Sequence, residues 1–579
     1  MVAPFKTNQS AMAKKPAGLI YGVEDKPPLT TSVLLGLQHV FVMTSGWVIV
    51  VVIVTTIGGT QEEIANVVRM SMIASGIATI LQILPKGPVG SGYFCPISSG
   101  PAFVSASILA GKIGGLRAVF AMTVLSGLFE GLLARVLPRL RPLFPPEVTG
   151  LVVTMVGIQL VALGCPRFLG FQGGAGPQGI VTAVATVTLA AMIGPTIWGK
   201  GKLKLYPVLI GLSVGYLLAY FLGIFQTERL QHMLASPMIS LPRKAHTGWA
   251  FDLALLPAFL IASLASTLKA VGDLTLCQKI NDADWKRTDM QSVSGGIFAN
   301  AIGTGLSGLL GGIGQSTFSS NVGLTLATGA ASRSIAIPCG ILMILLALLP
   351  KLAAFFAVMP DAVMGAILVY VACYMILAGI QVITSRMLDA RRIFVVGIAL
   401  IFGLSVDMVP GLYRDVPNQI QPVFSSSLAI STVLVVVLNL LFRIGVAKRQ
   451  FLELTPGIDG SQKIFEFMET QGSVWGARRD VILRATAALN EFVESAAGLG
   501  LVNGKAQVEV SFDEFNLDMD VRYDGELMEF PSRRPTEDAL LADDNAVASL
   551  SGFLIRQYAD RIKGEKINGR CRIQMHFDH

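Results

Sequence analysis

Along most of the chain, apolar residues run in long blocks separated by short polar stretches. The blocks fall at 32–54, 65–84, 115–136, 148–165, 178–198, 205–225, 252–268, 289–310, 334–357, 361–380, 391–408 and 424–443. A helix rises about 1.5 Å per residue and bilayer hydrocarbon is ~30 Å thick, so each block is about long enough to cross. Two shorter blocks, 91–111 and 314–329, are interrupted by Gly, Ser, Thr and Pro. With them, about fourteen spans are predicted. Irregular polar backbone is tolerated at membrane depth only where it is buried in protein or lines a cavity. Paired interruptions in the two halves of a chain point to a transporter's binding site. The stretch from Gly311 to Arg333 is therefore expected to hold the substrate. Ser319, Ser320 and Asn321 are expected to open a half-length helix whose free N–H groups face it.

Composition agrees with a membrane protein carrying a water-soluble part. Of 579 residues, 52% are hydrophobic and only 14% charged, with mean hydropathy +0.62; a soluble domain averages about 25% charged. Charges become frequent only after about residue 441. The expected organisation is an N-terminal cytoplasmic tail at 1–30, a membrane domain at 31–446, a linker at 447–460 and a cytoplasmic α/β domain at 461–579. In the last, a helix is predicted over 474–496, with Trp475, Ile482, Ala485, Leu489 and Phe492 along one stripe. Strands are predicted at 506–512, 517–523 and 571–577, and a second helix at 546–562. Basic residues gather in alternate loops, as at Lys200, Lys202 and Lys204 or at Arg391 and Arg392, while the first loop, 58–63, has none. This bias predicts cytoplasmic termini. It also accounts for the net charge of +7 without a nucleic-acid partner. Six scattered cysteines suggest neither metal site nor disulfide framework. No cleavable signal is expected, so the first span directs insertion. An odd number of spans per half forces opposite orientations. The predicted fold class is thus an all-α polytopic membrane protein, seven plus seven spans in inverted repeats with two half-helices, plus a small α/β domain. No catalytic constellation is visible.

Certain polar residues stand out within apolar blocks. Lys269 costs ~2.5 to 3.5 kcal/mol on insertion scales and by default suggests function. It binds an anionic substrate, pairs with Asp273 one turn on, or reaches past the span's end to water. Asp273 is its partner, a proton carrier or a solvated helix end. Ser98-Ser99-Gly100-Pro101-Ala102-Phe103, with Pro101 suited to a first helical turn, is the expected first-half counterpart of Phe318, Ser319, Ser320 and Asn321. An aromatic ring there either stacks on a substrate or simply packs. Gln38 and His39 are expected to brace the site by hydrogen bonds. Gly303, Gly305, Gly308, Gly311 and Gly312 read as close-packing positions between helices.

Together these residues resemble the nucleobase–ascorbate transporter family, also called nucleobase cation symporter 2, which includes the xanthine/uracil permeases. Gln38-His39 matches the family's QH pair. Ser320-Asn321-Val322-Gly323-Leu324-Thr325-Leu326-Ala327-Thr328 matches its signature [Q/E/P]-N-x-G-x-x-x-x-T, so Gly323 and Thr328 are expected to brace the site. Phe144-Pro145-Pro146, Val148-Thr149-Gly150 and Met359-Pro360 with Gly365 also resemble family positions. Two positions depart: Ser320 stands where Gln, Glu or Pro is usual, and Lys269 stands where the family carries a glutamate that contacts the nucleobase. The resemblance implies a core domain holding the substrate, a gate domain rocking against it, coupling to protons or sodium ions, and dimers. No other cofactor is expected. The partners are a nucleobase or small anion and the lipid bilayer. A sulfate-permease-type anion transporter is the rival reading. The C-terminal part is similar to a degenerate histidine-kinase-type ATPase domain, through Ala487–Ser495, Tyr523-Asp524-Gly525 and Ser551–Ile555. This leaves a nucleotide-binding membrane sensor as a third reading.

Overall fold

The computed structural model describes the chain except residues 1–13, 86, 141–144, 172–177, 200–205, 225–230, 232–236, 241–247, 284, 286–287, 385–387, 410, 414–415, 418–423, 425, 443–448, 514–515, 536–543 and 568. Phe144 and the lysines at 200, 202 and 204 lie outside the described residues. The chain divides into two compact units, 1–381 with 396–436 and 382–395 with 437–579.

The first unit is built from apolar helices. In chain order these are α1 (Leu29–Thr56), α2 (Gln61–Gln82), α3 (Val104–Leu140), α4 (Pro146–Leu169), α5 (Gly179–Trp198), α6 (Pro207–Phe221), α7 (Leu256–Asn281), α8 (Met290–Leu310), α9 (Ser319–Thr328), α10 (Ala336–Ala347), α11 (Pro350–Ala357) and α12 (Asp361–Ile383). Helices α13 (Ala390–Met408) and α14 (Ser427–Phe442) follow. Among the described residues, eight helices are long and apolar enough to cross a membrane, nine if a bent pair counts as one span. The protein is a multi-pass membrane protein.

Three local features differ from a row of plain spans. A short turn at Pro101–Phe103 runs into α3, whose Gly115 adopts φ 64° and ψ −165°, so two helices meet there. The predicted block at 334–357 is not one straight helix: α10 and α11 are bent by 81°, because Pro350 lacks an N–H and cannot continue the preceding helix. Finally, the membrane unit is not purely helical. Strands β1 (Ile97–Ser99) and β2 (Gln315–Thr317) pair antiparallel, with Ser98 opposite Ser316. Gly100 N–H donates to the Gly314 carbonyl at 2.9 Å and Phe318 N–H to the Pro96 carbonyl at 2.9 Å. The two interrupted blocks thus satisfy each other's backbone where no helix does.

Close packing fixes this arrangement. A Cβ on Gly127 of α3 would lie 2.5 Å from the Gly305 nitrogen of α8, so the two backbones touch there. Gly303, Gly308 and Gly312 also have no room for a side chain, whereas Gly311 ends α8 with φ 94°, a helix cap rather than a packing position. The segment before α1 straps the far end of α9. Ile20 and Tyr21 N–H both donate to the Gly329 carbonyl, and Ala331 N–H donates to Tyr21 at 2.7 Å.

The second unit is a two-layer α/β domain. Its sheet, all antiparallel, has the order β3-β4-β5-β7-β6, from β3 (Arg449–Leu454), β4 (Ala506–Phe512), β5 (Asn516–Asp524), β6 (Arg561–Ile567) and β7 (Arg570–Asp578). Its helices are α15 (Ser461–Trp475), α16 (Arg479–Gly498) and α17 (Asp544–Tyr558). Strand β3 lies in the stretch expected as linker. The helix predicted over 474–496 is two helices, because Gly476 takes φ 60° and closes α15. The helix predicted to 562 stops at Tyr558, and Arg561–Ile567 is an edge strand whose charged residues hid its alternation. Ile482, Leu489, Phe492, Val508, Val510, Ile573 and Phe577 form the core between the layers.

Candidate substrate site

The candidate site is the crossing of β1 and β2 with the helices they feed. Beside it, Lys269 sits near the middle of α7 and is 4% exposed. Its ammonium donates to Asp273 Oδ2 at 2.9 Å and to the Thr317 carbonyl at 2.5 Å. Thr317 Oγ1 in turn donates to Asp273 Oδ2 at 2.6 Å. Lys269 therefore does not reach to water. It is bound to the strand that leads into α9, and so is Asp273.

Helix α9 has only ten residues and begins where β2 ends. Phe318 holds the N-cap position and no side chain caps the helix. Ser319, Ser320 and Asn321 are thus the first helical residues, not caps. Asn321 N–H donates to the Phe318 carbonyl at 2.9 Å, which leaves the N–H groups of Ser319 and Ser320 as the open donors of the helix start. Ser320 is exposed and Ser319 half-buried, while Asn321 is buried and its Nδ2 donates to the His39 carbonyl at 3.3 Å. Helix α1 passes close by at Gly46, where a Cβ would lie 2.5 Å from Ser98 Oγ and 3.3 Å from the Phe318 ring. Several polar atoms around this crossing are buried without a partner: Ser98 Oγ, Ser99 Oγ, Ser316 Oγ, Thr267 Oγ1, Asn321 Oδ1, Gln38 Oε1 and both ring nitrogens of His39. Buried polar groups are nearly always hydrogen-bonded. Unpartnered buried hydroxyls and amide oxygens of this kind are groups that a polar ligand could satisfy. On the first half-helix, Ala102 and Ser105 line a cavity with Ala258, Ala262, Ser426 and Ala429.

Comparison with known proteins is decisive. The Permease family model Xan_ur_permease matches residues 30–412. This chain belongs to that family. It is 31% identical to the "Putative purine permease CPE0397" of Clostridium perfringens (strain 13 / Type A), over 75% of this chain and 95% of that protein. It is 28% identical to "Xanthine permease XanQ" of Escherichia coli (strain K12), over 77% and 98%. Among solved structures, the transmembrane domain of a cyanobacterium bicarbonate transporter BicA aligns with a TM-score of 0.47 at 14% identity, over 73% of this chain and all of that one.

The other expected site residues of this permease fall at varied distances from the crossing. Phe103 is fully buried and packs its ring on Gly314, whose Cβ would lie 2.4 Å from it; it is a packing residue. The His39 ring stands edge-on to Phe94 at 4.5 Å, and its residue braces α9 through its carbonyl rather than its imidazole. Gly323 is exposed, with open space where a side chain would be. Thr328 bonds back to the Leu324 and Thr325 carbonyls at the far end of α9. The sequence reading missed the layer behind β2. Gln315 is fully buried; its side chain bonds Ser75, Ser307 and the Ile313 carbonyl. Its own carbonyl accepts from Ser266, Asn300 and Thr304. Asn300 and Thr304 also donate to Glu130. Glu130 is a lone acid in the apolar block 115–136, a signal of the same kind that singled out Lys269.

Proposed function

We propose that this permease moves nucleobases of the xanthine or uracil type by secondary active transport. The substrate would sit at the β1–β2 crossing, between the starts of two half-helices. The observation that carries this reading is that the hydroxyls of the facing strand residues Ser98 and Ser316, together with Asn321 Oδ1, are buried without hydrogen-bond partners, next in the chain to the helix start at Ser319 and Ser320. A nucleobase edge alternates donors and acceptors, and hydroxyls, which both donate and accept, match either. The pairing of Lys269 with Asp273 leaves these two residues without net charge. This favours a neutral ring over an anion, and gives Lys269 the task of holding Thr317 in place. We assign alternating access between a core and a gate domain, built as seven plus seven inverted spans, to the same reading. Homodimers and cytoplasmic termini belong to it as well.

Uptake of labelled xanthine by cells expressing the chain tests this proposal. Unlabelled xanthine, urate and uracil should compete and excess sulfate should not; competition by sulfate alone favours the anion-transporter reading. Calorimetry of the purified protein with ATP tests the sensor reading of the C-terminal domain, and no heat of binding removes it.

A further inference from the structure

Glu130 on α3 is fully buried. Its Oε2 accepts from Asn300 Nδ2 at 3.1 Å and Thr304 Oγ1 at 3.2 Å, and its Oε1 has no partner. Among the described residues, no lysine, arginine or histidine bonds it. The charged and titratable groups on the neighbouring elements are engaged elsewhere. On α7, Lys269 and Asp273 hold each other and Thr317. On α8, the facing residues are the neutral Asn300 and Thr304. On α3 itself, the Arg135 guanidinium lies 5.0 Å over the Phe298 ring. On α1, His39 stands against Phe94. A bare carboxylate without a cation in such surroundings costs several kcal/mol, and a neutral acid costs far less.

The hydrogen bonds around Glu130 are also oversubscribed. Thr304 has one hydroxyl hydrogen and two acceptors, Glu130 Oε2 and the Gln315 carbonyl, both at 3.2 Å. An ionised Glu130 draws that hydrogen to itself. A protonated Glu130 accepts weakly and releases it to Gln315, in the strand that carries Thr317. The proton state of the acid is thus read at β2, two residues from the bond network of Lys269 and Asp273.

We propose that Glu130 is the proton-carrying group of the transport cycle, which makes the coupling ion a proton. One proton adds to Oε1 and stays there while the crossing is closed to water. It leaves to water that reaches this oxygen on the opposite side of the cycle, and no other bond forms or breaks. This rests on the nucleobase-transport reading.

The test uses the full chain in proteoliposomes with labelled xanthine. Two modes are measured: accumulation driven by an imposed proton gradient, and counterflow exchange without one. In Glu130→Gln, accumulation is expected to fall at least about tenfold while exchange stays within about threefold of wild type. Glu130→Asp keeps the carboxyl, so accumulation should persist with its pH profile displaced by about half a unit or more. Gradient-driven accumulation by a folded Glu130→Gln protein at the wild-type level overturns the proposal, as does equal loss of both modes. If Glu130→Gln does not fold, Glu130→Asp decides, and a pH profile identical to wild type overturns the proposal. Wild-type vesicles showing neither mode refute the transport reading instead.

Discussion

At the residue scale, the permease places opposite charges where neither can reach water. Asp273 takes a hydrogen bond from Thr317 and an ion pair from Lys269 through the same oxygen. Removing one member of a buried pair typically costs ~3 to 5 kcal/mol, because the other is left charged and alone. Lys269→Met should therefore lower the melting temperature of the detergent-solubilised protein. Adding Asp273→Asn should restore part of it, with a coupling of about 0.5 to 3 kcal/mol. Strict additivity of the two losses would mean that the residues act independently. Lys269→Ala should also reduce xanthine uptake by about tenfold or more, since Thr317 and the start of α9 lose their anchor. Unchanged uptake at equal expression would remove Lys269 from the site.

At the element scale, the critical part is a three-residue strand pair feeding two helix starts. Its geometry depends on α1 approaching closely at Gly46. Gly46→Val would drive a side chain into Ser98 and Phe318 and should abolish uptake while leaving insertion intact, read as surface expression against transport. The two interrupted blocks were legible in the sequence, because Gly, Ser, Thr and Pro crowd together inside otherwise apolar runs and leave too little unbroken length for a plain span. Lys269 and Asp273 were legible by cost. The strands were not, since three residues carry too little alternation to register a period of two, and their pairing joins positions far apart in the chain. The break before Pro350 was masked by the hydrophobicity on both sides of it. Glu130 was visible as a lone acid but carried no spacing that tied it to Asn300 and Thr304, which only the packing of α3 on α8 brings to it.

At the scale of the whole molecule, each unit has its own core, and the second has its own pH response. The outer face of its sheet carries ranked charges: Glu509 with Arg449 and Arg522, and Asp520 with Arg522 and Arg572. Burial lowers the proton affinity of His576, but Asp518 at 2.6 Å and Asp578 at 3.3 Å outweigh it and leave the ring pushed up to about 9. A raised folded value means that the contribution is complete below the ordinary value near ~6.5 and is lost as pH climbs through the folded one. Proteolysis within 449–579 should accordingly quicken between pH 7 and 10, and His576→Ala should flatten that rise. A rise that survives His576→Ala places the pH response elsewhere in the domain. The strap formed by Ile20 and Tyr21 on Gly329 has a bearing on biosynthesis. Its two halves leave the ribosome more than half a chain apart, so the leading segment must wait, unpaired, until α9 is inserted. Nascent chains halted before α9 should thus expose residues 14–25 to a protease that the finished protein resists, and bulky fusions ahead of Lys15 should slow maturation more than those behind His579.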